Sequence, residues 1–207
     1  MDLDWLAVPS VVLVAVTAAG ILISQTWRWV TALLMIQYAG IFVLAGISWS
    51  LQMALTKLIA GLVAGVILWI ALAGIEAKDA KGQAIRPPLF PAQVELSGKL
   101  FRLIAASLVG LVIVSGSAII VQWLPGLARE QILGSTILIG LGLLHLGFTS
   151  EPFRVVIGLL TVTAGFEIAY AGIEVSALVQ GLLAVVTLGL GLVGAYLVLS
   201  PTMERMG

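Results

Sequence analysis

Three ionisable side chains stand inside long apolar runs of this 207-residue chain: Lys57 in Leu-Thr-Lys-Leu-Ile, Glu167 in Gly-Phe-Glu-Ile-Ala and His145 in Leu-His-Leu. An amine, a carboxyl and an imidazole are the groups that take up and release protons. Buried in hydrocarbon, each costs several kcal/mol unless it is paired or neutral, so each is a candidate for function. Each also has a plain reading. Lys57 can lay its stem along a helix and reach the interface with its amine, or it can be a buried amine on a proton path. Glu167 has no Lys or Arg at helical spacing, so it is either protonated or paired with another helix. Tyr170, three residues on, shares its face. His145 reads as a structural histidine near a helix end. Gln37 and Gln180 are mid-helix amides of the kind that join helices, and Thr161, Thr163 and Thr187 can bond carbonyls of the preceding turn.

Other chemistries find little footing. The chain has no cysteine, so it offers no disulfide, thiolate cluster or cysteine nucleophile. A single histidine cannot alone build a haem or zinc site, so no metal or cofactor is expected on this chain. No phosphate-binding loop, HExxH or GxSxG pattern occurs, and no catalytic residue is assigned. A formal net charge of zero leaves no basic footprint for nucleic acid.

The elements that position these groups follow from composition. The chain is 61% hydrophobic and 10% charged, with a mean hydropathy of +1.18, where soluble domains carry about 25% charged residues. Its solvent is lipid, and the fold expected is an all-α, polytopic transmembrane bundle. Apolar runs long enough to span lie at 8–24, 29–47, 52–74, 101–123, 131–148, 153–172 and 175–199, giving about seven helices. The acidic start MDLDWLAVPS lacks the basic region of a cleaved signal, so the first run is read as a retained helix. A polar loop at 75–100 with Pro87, Pro88 and Pro91 divides the chain into a three-helix half, 1–74, and a four-helix half, 101–207.

Basic residues orient the bundle. Arg28, Lys78, Lys81, Arg86, Lys99, Arg102, Arg154 and Arg205 fall on one side and Arg129 on the other. By the positive-inside rule the N-terminus is outside and the C-terminus cytoplasmic; the membrane expected is a cell inner (plasma) membrane. Trp5, Trp27, Trp29, Trp49 and Trp123 sit near helix ends, where indole rings favour the headgroup level. Gly61 and Gly65 form a GxxxG in the third helix, a pattern that lets helices approach closely.

The layout resembles component E of the membrane-bound, formate-hydrogenlyase-type hydrogenases, whose C-terminal half is similar to the NuoK and MnhC subunits of complex I and Mrp-type antiporters. The matching features are Gln37 to Phe42 in the second helix, Thr56-Lys57 opening the third, the proline-bearing loop, and Arg154 with Gly158 after a short polar turn. The resemblance implies antiporter-like membrane partners, a surrounding bilayer and a proton-translocating complex. In that family a membrane glutamate stands five residues after the glycine; here the position is Thr163, and Glu167 comes a turn later. The last helix reads Gln180-Gly181-Leu182-Leu183 where the family often has an acid. Either Glu167 replaces the missing group on the same helix face, or the chain is a structural subunit. A structural or assembly subunit of another membrane complex and a small stand-alone transporter are the competing classes.

Overall fold

A backbone in hydrocarbon has no water to bond, so each apolar run must satisfy its N–H and C=O groups internally, as a helix. The structure, a computed structural model, describes residues 4–80, 96–123, 126–173 and 176–203. Among them it forms seven helices: α1 (Asp4–Ile23), α2 (Trp27–Gly46), α3 (Leu51–Ala80), α4 (Leu96–Trp123), α5 (Arg129–Gly147), α6 (Pro152–Ala171) and α7 (Ala177–Met203). All seven are long and apolar enough to cross a membrane. α3 and α4 run several residues into the stretch expected as loop: Glu76–Ala80 is rich in good helix formers, whereas Leu96–Lys99 is helical in spite of Gly98. Pro87, Pro88 and Pro91 lie outside the described residues, as do Lys81, Arg86, Glu174 and Arg205. The break expected near Gly172 separates α6 from α7.

Short connections make α1, α2 and α3 successively antiparallel, and likewise α4 to α7. They assemble as two rows, α1–α2–α3 and α5–α6–α7, laid face to face so that α1 meets α5, α2 meets α6 and α3 meets α7. α4 stands outside, against α5 and the edge of α1. Its outward residues Leu108, Leu111, Val112 and Ile119 are exposed, as are Val8, Val12 and Val16 on α1 and Leu182 and Val185 on α7. That apolar coat is what a lipid solvent tolerates and water does not.

Two glycines set helix spacing. At Gly61 an added Cβ would fall 2.2 Å from the ring of Tyr38, so only hydrogen there lets the phenol lie on α3. At Gly165 an added Cβ would meet the carbonyl oxygen of Ser135 at 2.7 Å, so α6 runs almost backbone to backbone with α5. Close approach of this kind supplies van der Waals contact where lipid removes the usual hydrophobic drive between helices.

The tryptophans divide. Trp5 and Trp29 are exposed at helix ends, as amphipathic anchors would be. Trp27 and Trp49 are buried, and Trp27 packs edge-on to Trp69 with ring centroids 5.1 Å apart. Those two fill space inside the bundle ends.

Candidate functional site

Lys57 lies on α3 two turns from the helix start, and its side chain turns inward: it is 2% exposed. The interfacial reading of this lysine is therefore corrected. The amine reaches across the seam between the rows. Its Nζ donates to the Thr187 hydroxyl on α7 at 2.6 Å and is in direct contact with the Glu167 carboxylate on α6. Glu167 is 1% exposed. Thr187 Oγ1 in turn bonds the Leu183 carbonyl at 3.1 Å and stands 3.4 Å from Glu167 Oε1. The Tyr38 ring on α2 lies beside the amine, its centroid 5.4 Å from Nζ, close enough for a cation–π contribution. Four helices thus converge on one amine.

Each partner answers a physical requirement. A carboxylate or ammonium stripped of water is costly, and mutual contact repays that cost only with good geometry and further hydrogen bonds. Thr187 supplies one such bond and remains tied to its own helix, as its spacing suggested. Tyr170 does not join the cluster through its face-sharing position; it stacks on Phe166 with centroids 5.8 Å apart. An acid and a base in contact, shielded from bulk water, form a unit that can hold a proton and pass it on.

His145 is buried too, but elsewhere. It sits near the end of α5, against the backbone of Gly158 on α6. Its position is close to the α1–α2 turn, whereas Lys57 and Glu167 lie toward the α2–α3 turn. The structure brings two of the three ionisable candidates together and leaves the third at the other end of the bundle.

Polar side chains pin the rows at several heights. Gln180 Nε2 donates to the Met53 carbonyl at 2.5 Å, one turn from Lys57, which is the joining role expected of a mid-helix amide. Gln37, expected to do the same, instead has an amide with no partner among the described residues. Gln131, which sequence reasoning passed over, spans α5 and α2: its Nε2 donates to the Leu44 carbonyl at 2.9 Å and lies 3.0 Å from the Ser48 hydroxyl, while its Oε1 accepts the Ala128 N–H at 3.1 Å. The signal available was its place at the third helical position of α5, where a Gln folds back on the helix start. At the opposite end Arg154 bonds Glu151 at 3.1 Å and donates to the carbonyls of Ser24 and Gln25 at 3.1 and 3.2 Å. Arg102 donates to Leu22 O at 3.2 Å. Two guanidiniums therefore serve the carbonyl-rich end of α1, where a cation is favoured.

No family model, curated protein or solved structure matches this chain. Among the described residues no group of three or more His, Cys, Asp or Glu is placed to hold a metal ion.

Proposed function

We propose that the chain is a membrane-arm subunit of a multi-subunit respiratory or hydrogenase-like ion-translocating complex, related to complex I and the Mrp antiporters, in which Lys57 and Glu167 support or line a proton path. The observation that carries this reading is the buried Lys57–Glu167 pair with its Thr187 bond, drawn from helices of both rows. Replacing a buried ion pair by apolar residues is often neutral or stabilising, so packing alone gives little reason to keep one. The resemblance of Thr56-Lys57 and Arg154–Gly158 to the hydrogenase component points the same way. The antiporter-like partners and the inner membrane come from that resemblance.

The test is isolation of the native assembly from its host in mild detergent through a tag on this chain. Larger antiporter-like membrane subunits are expected to co-purify, and Glu167→Gln, whose amide oxygen still accepts from the Lys57 amine and so loses less than an apolar replacement, is expected to assemble while proton-coupled activity falls at least ten-fold. A chain that migrates alone, or a variant with full activity, overturns the reading. The second outcome would favour a structural subunit, for which the mutual satisfaction of Lys57, Thr187 and Glu167 also speaks.

The orientation proposed with this function has the N-terminus outside and the C-terminus in the cytoplasm. The absence of cysteine makes this simple to check. Single cysteines replacing Trp5 and Gly147 are expected to react with an impermeant maleimide from the outer and the cytoplasmic side respectively. The reverse pattern would invert the bundle.

A further inference from the structure

Gln37 is fully buried in α2, and among the described residues neither its carbonyl oxygen nor its NH2 has a hydrogen-bond partner. The hydroxyl of its neighbour Tyr38 is likewise fully buried and unpartnered. An amide offers two donors and an acceptor with two lone pairs. Leaving all of them idle away from water costs as much as the lost hydrogen bonds, and native proteins rarely tolerate it. Gln37 shares its helix face with Leu34, Ile41 and Leu44, all buried. The Leu44 carbonyl receives the Gln131 amide from α5, and α2 also packs against α6, so this face looks into the seam between the rows.

Its height along the bundle is informative. Measured from the helix ends at the α2–α3 turn, with 1.5 Å per residue, Glu167 lies about 6 Å deep, Gln37 about 14 Å and His145 about 24 Å. His145 has Arg154 as its polar neighbour, and neither of its ring nitrogens makes a well-formed hydrogen bond among the described residues. Gln37 thus stands between the ion pair and the histidine. Each gap is too long for a direct proton hop and suits a short chain of water, which internal polar sites commonly hold.

We propose that Gln37 is a water-binding residue on the seam, and that a short water chain held by its amide, and reaching the unpartnered Tyr38 hydroxyl, extends the proton route of Lys57 and Glu167 toward His145. Each water in turn accepts a proton on one lone pair as it releases another from an O–H bond, so neither the chain nor the amide keeps a charge. Gln37 is a positioning residue: its carbonyl accepts from one water and its NH2 donates to another. The route rests on the proton-path reading given above; the water site does not.

X-ray radiolytic footprinting of the purified full-length chain in nanodiscs separates the two. Radicals made from bound water oxidise adjacent side chains, so Tyr38 is expected to be oxidised in spite of its burial. Gln37→Met is expected to lower that oxidation at least five-fold and Gln37→Asn less, with buried Trp27 still protected as the control for folding. An unoxidised Tyr38 in the wild-type chain, or equal oxidation in Gln37→Met, overturns the site. If the Met variant does not fold, Gln37→Asn decides, and Tyr38 oxidation equal to wild type in that variant overturns the site. In the assembled complex, Gln37→Met is expected to slow proton-coupled turnover at least five-fold. Lost oxidation with unchanged turnover overturns the route while leaving the site, and the broader functional reading is judged separately by Glu167→Gln.

Discussion

Glu167→Leu is expected to destabilise the bundle by about 3–5 kcal/mol, and adding Lys57→Met to it is expected to return most of that loss. The single change leaves an amine at 2% exposure with Thr187 and the Tyr38 ring as neighbours and no counter-charge. It must stay charged without compensation or give up its proton, and both are costly. The double change removes both charges and leaves side chains suited to the apolar interior. Thermal unfolding of the four forms in one detergent completes a double-mutant cycle. Strictly additive losses would mean that the two groups are not energetically coupled. The cycle also separates two roles of the pair, because a stable double variant that no longer supports proton-coupled activity cannot owe its defect to misfolding.

Gly165→Ala carries the second large effect. The added methyl carbon would lie 2.7 Å from the Ser135 carbonyl oxygen and 2.8 Å from Leu138 Cβ. A flexible side chain can step aside, but a helix backbone cannot, so α5 and α6 must part. Overpacking of this kind typically costs about 1–3 kcal/mol. Gly116→Ala on α4 is the matched control, since nothing lies within 4 Å of its added carbon. There the better helix propensity of Ala applies without a clash. Unfolding midpoints of the two variants should diverge, with Gly165→Ala well below wild type and Gly116→Ala at or above it. Equal midpoints would show that the α5–α6 approach is soft. Glu167 lies two residues beyond Gly165, so parting the helices also disturbs the contact with Lys57.

The helices were legible in the sequence because lipid leaves an apolar chain few alternatives: twenty apolar residues between polar breaks must be a helix. Lys57 and Glu167 stood out for the same reason, as charges with no place in such a run. Their partnership was not legible. Lys57 and Thr187 are 130 positions apart, and helical spacing reports only neighbours on the same helix. That α3 would lie against α7 depends on the stacking of two rows, a property of all the interfaces together. The roles of the amides were unreadable for a similar reason. Gln37, Gln131 and Gln180 are the same residue type, yet two reach a carbonyl on a facing helix and one is unpartnered among the described residues. Only the facing helix distinguishes them.

The side chains that cross between the rows have one more consequence. Apolar faces in lipid are forgiving: slide one helix past another by a turn, about 5.4 Å, and leucine meets leucine again. Lys57 has no such second solution, because its amine needs the Thr187 hydroxyl and the Glu167 carboxylate opposite it, and Gln131 and Arg154 reach carbonyls at the free ends of α2 and α1 that a further turn does not supply. A slip of a single turn would undo these bonds at several depths at once. They act as the teeth of a key, and they give a greasy interface the single alignment that its hydrocarbon surface could not choose for itself.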